Sequence, residues 1–292
     1  MSYRKILVPV FGTPHDRTAV DAALGLGKQF GAHVEALFVR SDPVRAVPYG
    51  YLGSDFSGYS AQYAIDAAIR AADSAQKVAS EIFNKAVDKL AVEVTAKPGA
   101  RTSATANLKI VQGDFAEEIE RASRLCDLIV FGAAGTGDGQ DIIREGFEAA
   151  LLSGSRPVLF VPHQPTEMPG QRVAIAYDGS AAASHAVTAA LPFLSRAKAV
   201  HSFEVTPATG QSPVLMDLHN YLSLRGIEVV EHVIEAGLPP VAETLALAVQ
   251  AQRCDLLVLG GYGHSRIREF VLGGVTRHLL RNGSPLAILM TH

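Results

Sequence analysis

Cysteine is nearly absent: Cys126 and Cys254 are the two in 292 residues, too few for the stapled framework of a small secreted domain. Each precedes an aspartate that opens an apolar run, which reads as a buried, reduced thiol. An excess of one charge is missing as well. The net charge is −3, so nothing electrostatic points to DNA, RNA or an anionic membrane as partner. No apolar stretch approaches the roughly 20 residues that cross a bilayer. Met1 to Arg4 lead straight into a strand-like segment, without the apolar core and cleavage site of an export signal, so the expected address is the cytoplasm. Catalytic signatures are lacking too. There is no Gly-x-Ser-x-Gly elbow, no Gly-Lys-Ser/Thr phosphate loop, and no His/Cys/Asp/Glu set at metal-ligand spacing.

What the chain does have is an internal repeat. Cys126 to Gly132 reads CDLIVFG and Cys254 to Gly260 reads CDLLVLG, an offset of 254 − 126 = 128. The same offset lays Arg156 to Val161 on Ser284 to Leu289. Near the start of each copy, Ala19 to Leu24 match Ala186 to Leu191 at an offset of 187 − 20 = 167. The first copy therefore holds 167 − 128 = 39 more residues between its first helix and its fourth strand. A proline-rich, polar segment from Pro162 to Gly170 reads as a linker. Two domains are expected, 1–163 and 170–292, in line with a length above one average domain.

Within each copy, short apolar runs alternate with helical periodicity, the pattern of parallel strands joined by crossover helices. In the second copy the strands are expected near 171–177, 198–205, 227–234, 255–260 and 285–290, with helices near 182–195, 212–225, 239–252 and 273–281. The fold class is thus α/β, two Rossmann-like domains each built on a five-stranded parallel sheet. The insertion of the first copy, within 42–107, contains a Gly/Tyr/Ser stretch and then apolar residues from Ile65 to Leu90 every three or four positions, one long helix. That helix either packs on its own sheet or serves as an oligomerisation arm or lid.

After the fourth strand of the second copy stands Gly260-Gly261-Tyr262-Gly263, then nine residues from His264 to Leu272, then Gly273-Gly274-Val275-Thr276. Glycines there let the backbone approach a phosphate, and the amides opening the next helix supply donors. His264, Arg266 and Arg268 could neutralise phosphate charge or simply line a solvated loop. The spacing resembles the ATP loop of the universal stress protein family, which reads Gly, two residues, Gly, nine residues, Gly, then Ser or Thr. Gly260, Gly263 and Gly273 match it; Gly274 departs from it, leaving only a backbone amide where the family has a hydroxyl. Tyr177-Asp178-Gly179-Ser180 resembles the family's strand-end Asp-Gly-Ser, which implies Asp178 and Gly179 near base and ribose. An Asp-Gly turn with Ser180 capping the next helix explains the same residues. The resemblance further implies that the backbone at Glu204 and Val205 meets the adenine edge.

In the first copy Gly132 and Gly135 fall on Gly260 and Gly263, but Glu145 falls on Gly273, Phe147 on Val275 and Phe11 on Asp178. A carboxylate in place of a phosphate-facing glycine argues that this copy takes no ATP, unless Thr136 to Gly139 rebuild the pocket for another ligand. The resulting expectation is a stress-response nucleotide sensor that binds ATP, ADP or AMP in its second domain, with or without Mg²⁺. Lacking a nucleophile or a water-positioning carboxylate, it should hydrolyse ATP slowly at most. A nucleotide-independent interaction module is the alternative, and an adenylating enzyme ranks behind both. Family members pair through the last strand. The resemblance thus implies an intramolecular pseudo-dimer of the two domains and leaves room for a homodimer.

Overall fold

The computed structural model describes residues 2–42, 58–100, 102–132, 140–162, 168–206, 212–235, 241–261 and 286–292. The order in the first copy is β1 (Lys5–Val10), α1 (Asp16–Phe30), β2 (His33–Arg40), α2 (Gly58–Leu90), β3 (Glu93–Val94), β4 (Thr105–Gln112), α3 (Phe115–Ser123), β5 (Leu128–Gly132), α4 (Gln140–Glu148), a π-turn (Ala149–Ser153) and β6 (Val158–Val161). The second contributes β7 (Arg172–Ala176), α5 (Ala181–Leu194), β8 (Ala199–Thr206), α6 (Pro213–Ser223), β9 (Val230–Glu235), α7 (Val241–Ala251), β10 (Leu256–Gly260) and β11 (Ala287–Thr291). The helix expected at 273–281 lies outside the described residues. Among those residues, no helix is long and apolar enough to cross a membrane.

The strands form one sheet in the order β3-β4-β2-β1-β5-β6-β11-β10-β7-β8-β9. The two-residue β3 adds a strand to the first copy beyond the five expected. Every neighbouring pair is parallel except β6 and β11, which meet antiparallel through Phe160↔Ile288, Leu159↔Leu289 and Val158↔Met290. Phe160 and Ile288 are repeat equivalents, since 288 − 160 = 128, so the seam pairs each copy with the other around a pseudo-twofold axis at that residue pair. Runs such as Leu256–Leu259 are buried on both faces, as central parallel strands require.

Helices α1, α2, α5 and α6 cover one face and α3, α4 and α7 the other, and each layer's core runs through both copies. At the seam Tyr3, Phe30 and Phe193 stand edge to face at centroid distances of 5.0, 5.6 and 5.3 Å. The Tyr3 hydroxyl donates to the Ala189 carbonyl of the other copy at 2.6 Å. The aspartates of the repeated Cys-Asp motif have a structural task. Asp127 accepts the amides of Arg4 and Lys5 at 2.7 and 2.9 Å. Asp255 takes those of Gly170, Gln171 and Arg172 at 2.6 to 3.1 Å. Each clasps the start of the neighbouring first strand. The thiols beside them are free, Cys126 buried and Cys254 half-buried instead of fully enclosed. Burial pushes the Cys126 thiol up to about 12 and the Cys254 thiol up to about 11, which keeps both protonated and unreactive.

Helix α2 packs its second half on its own sheet, burying Ala79, Ile82, Phe83, Ala86 and Val87. Its middle crosses the end of β1: a Cβ on Gly12 would lie 2.3 Å from the Ala75 carbonyl oxygen. Arg40, at the end of β2, pairs with Asp73 at 2.6 Å and donates to Gln76 at 3.3 Å, fixing that crossing.

Candidate functional site

In an open parallel sheet, ligands bind beyond the carboxyl ends of the strands where the winding order reverses. In the second copy the chain runs outward from β7 to β8 and β9, then returns to β10 on the other side of β7. The crevice between β7 and β10 is that reversal, and the two strands pair from Leu256↔Val173 to Leu259↔Ala176.

At the end of β7 the chain turns sharply. Gly179 has φ +77°, a conformation that disfavours any side chain. Asp178, exposed at the strand end, accepts the Ser180 amide at 2.9 Å. Ser180 in turn caps α5 by accepting the Ala183 amide at 3.2 Å. The capping explanation of this motif therefore holds, and it leaves the Asp178 carboxylate at the mouth of the crevice. Opposite, Gly260 presses on the first turn of α5. A Cβ there would be 2.5 Å from the Ala183 nitrogen, so glycine at 260 is demanded by strand-to-helix approach before any ligand is considered. Gly261 is buried, and its amide donates to the Thr291 carbonyl at 2.7 Å. The Thr291 hydroxyl donates to the Ala182 carbonyl at 3.0 Å. The last residue of the seam strand thus ties the glycine loop to the start of α5, a link with no local signal in the sequence.

Glu204 and Val205 lie near the end of β8, paired with Val233 and Ile234 of β9. The structure therefore brings Asp178, Gly179, Glu204, Val205, Gly260 and Gly261 to one edge of one sheet. Gly263, His264, Gly273, Gly274, Val275 and Thr276 lie outside the described residues.

Toward the amino ends of the same strands a hydrogen-bonded chain crosses β7, β8 and β9. Arg172 Nη2 donates to His201 Nε2 at 3.2 Å, and His201 Nδ1 stands 3.1 Å from His232 Nε2. Because guanidinium can only donate, His201 accepts at Nε2, carries its proton on Nδ1 and donates to His232. Phe203 stacks on His232 at 4.6 Å. Burial lowers the pKa of both histidines, helped at His201 by the neighbouring His232 and Arg172. The sign follows: the unfolded chain protonates first, so this contribution to stability is intact above about pH 6.5 and is lost as pH falls below it. His33, between Thr105 and Asn107, is lowered by burial in the same direction. Thermal melts from pH 7.5 to 5 are expected to show a falling Tm, with a shallower fall in the double variant His201→Gln/His232→Gln. An equal slope in the variant would exclude the chain as its source.

The equivalent edge of the first copy is filled by the chain itself. Phe11 packs on Phe115 at a centroid distance of 5.1 Å. The buried Asp16 carboxylate accepts the amides of Phe11, Gly12 and Thr13 at 3.0, 2.7 and 3.0 Å. Burial pushes its pKa up while those amides pull it down. Glu145 is exposed within α4, well past the start of the helix, so it does not stand at a helix N-terminus. Among the described residues, Phe11, Asp16 and the α2 backbone are what pack at this edge.

A sequence model described as the universal stress protein family matches residues 2–162 and again 170–288. Among solved structures, a universal stress protein from Archaeoglobus fulgidus DSM 4304 superposes with a TM-score of 0.68 at 18% identity, covering 98% of this chain and 95% of the other. A putative universal stress protein from Pseudomonas aeruginosa UCBPP-PA14 gives 0.54 at 13% identity, covering 99% and 93%. A protein of unknown function from Pseudomonas aeruginosa PAO1 gives 0.55 at 13%, covering 99% and 92%. These likenesses concern the fold. No curated protein matches in sequence.

Proposed function

The chain belongs to the universal stress protein family, and we propose that its second domain binds an adenine nucleotide while its first does not. The observation that carries this reading is the contrast between two equivalent edges. Among the described residues, one presents the exposed Asp178-Gly179 turn beside the end of β10 at Gly260, and the other is occupied by Phe11, Asp16 and α2. The described residues fit the nucleoside half of such a ligand. Asp178 supplies an exposed acceptor, and the strand ends at Glu204 and Val205 supply backbone polar groups. The phosphates would fall to the loop from Gly260 to Thr276, whose glycine spacing is the sequence argument. The protein acts in this reading as a sensor or regulator in the cytoplasm: the nucleotide stabilises the fold that binds it by mass action. The antiparallel seam of β6 and β11 supports an intramolecular pseudo-dimer. It also uses up the last-strand edges, so a homodimer would need another surface.

Calorimetric titration of the full chain with ATP and Mg²⁺ is expected to give one site per chain. Gly273→Glu, which copies the first domain, should lower that affinity at least about 100-fold by placing a carboxylate against phosphate. Absence of ATP binding by the wild type would instead favour the nucleotide-independent interaction module.

A further inference from the structure

Two polar side chains on β8 are buried without hydrogen-bond partners among the described residues: Ser202 through Oγ and Glu204 through Oε2. Side chains alternate along a strand. Phe203 enters the core under α7, so Ser202 and Glu204 face the α5 and α6 layer. Ser202 is 1% exposed, and Glu204 is half-buried at the strand's end. Leaving a buried oxygen without a donor is unfavourable, and more so for a charged one, so such groups persist where something else satisfies them.

The repeat supplies an internal control. The first strands correspond at 175 − 8 = 167, and Val8 pairs with Ala36 as Ile175 pairs with Ser202. Ser202 therefore corresponds to Ala36 and, two residues on, Glu204 corresponds to Phe38. Both counterparts are buried apolar residues of the same core layer. This position in the fold is served well by an apolar side chain, and the second copy has put a carboxylate there. It lies at the carboxyl edge of the sheet beside the Asp178-Gly179 turn, since the Tyr177 amide carries the β7 ladder on to the Phe203 carbonyl at 3.1 Å.

We infer that Glu204 is a specificity-determining residue of the second-domain site, its enclosed oxygen accepting a hydrogen-bond donor presented by the ligand. The inference rests on the nucleotide-binding reading above and refines it. A carboxylate only accepts. It selects a nucleoside that offers N–H or O–H at this point, and it disfavours one that offers a carbonyl oxygen. An adenine nucleotide has two kinds of such donor, the exocyclic amine of the base and the 2′- and 3′-hydroxyls of the ribose.

The test is a panel of titrations of the full chain with ATP, its 6-oxo analogue ITP, 2′-deoxy-ATP and 3′-deoxy-ATP, in wild type, Glu204→Gln and Glu204→Leu. Loss of one charge-assisted hydrogen bond corresponds to about 10- to 100-fold in affinity. Weak ITP binding by the wild type assigns the donor to the base amine; weak binding of a deoxy analogue assigns it to the ribose. In either case Glu204→Leu should bind ATP about 10- to 100-fold more weakly and no longer discriminate. Its Tm should equal or exceed that of the wild type, because Phe38 shows that the register tolerates an apolar residue. Glu204→Gln, nearly the same shape and able to donate, should bind ITP better relative to ATP if the base is the source. Should the wild type bind ATP but treat all four nucleotides alike, or should its discrimination survive in Glu204→Leu, the inference fails and solvent satisfies the oxygen. Failure of the wild type to bind ATP at all would remove the nucleotide reading itself, and this one with it.

Discussion

Gly260→Ala is expected to destabilise the protein by roughly 3 kcal/mol or more, whereas Gly132→Ala, at the same place in the repeat, should change stability by less than about 1 kcal/mol. The offset 260 − 132 = 128 makes the two glycines equivalent, and each ends the strand that borders the crevice. Their surroundings differ. The added Cβ at 260 would meet the Ala183 nitrogen at 2.5 Å, the Ala182 carbonyl carbon at 2.8 Å and the Ala183 Cα at 3.0 Å, all backbone. None of these atoms can swing aside as a rotamer does, so α5 as a whole must lift from β10. At 132 the nearest atom is the Ala19 Cβ at 3.3 Å, a contact that a shift of a few tenths of an ångström relieves. A loss of this size would lower Tm by on the order of 5–10 °C in a chain of this length. Chemical denaturation of the two variants side by side measures it. Since Gly260 ends β10 and α5 begins just after β7, the two strands that border the second-domain crevice, the same variant should weaken ATP binding beyond detection at micromolar protein. Equal stabilities for Gly260→Ala and Gly132→Ala would mean that the close approach of α5 to β10 is not a constraint on this fold.

Much of this architecture was legible in the residues, because it rests on patterns that repeat. The strands and helices described in the second copy lie within about three residues of their expected limits. The largest shift is at β9, where the apolar run from Ile227 was expected to pair but the ladder begins at Val230 opposite His201. Gly226, at φ +68°, and the buried Ile227 belong to the turn that closes α6. A meeting of the two copies through their last strands was implied by the family resemblance, but its register was not, because a seam between segments 128 residues apart leaves no local trace. The same reason hides the crossing of α2 over Gly12 and the placement of Thr291 between Gly261 and Ala182. Glu204 was singled out for its backbone alone. A signal for its side chain existed: setting Ala36-Leu37-Phe38 beside Ser202-Phe203-Glu204 shows two apolar positions turned polar in one copy.

Removing the aromatic ring at 193 should cost about 3–5 kcal/mol, the range for truncating a fully buried phenylalanine, and the loss should be felt by both copies together. Phe193 is 0% exposed. It belongs to α5 but touches Tyr3 and Phe30 of the first copy, and Arg196, in the turn that follows α5, lies 5.0 Å over the Phe30 ring. Gly170, with φ +106°, leaves room for it, since a Cβ there would come within 2.6 Å of the ring. The cavity left by Phe193→Ala therefore opens where the linker, α1 and α5 converge. Neither copy can refill it alone. Because each core layer and the sheet itself run through both copies, unfolding should proceed as one transition, and calorimetry of the wild type should show a single endotherm. In Phe193→Ala that endotherm should move to lower temperature while staying single, since the β6–β11 ladder and the second core layer still join the copies. Two endotherms in the wild type would show that the seam couples the domains only weakly. One endotherm that divides in the variant would show instead that the aromatic cluster, more than the shared sheet, makes the two copies fold as a unit.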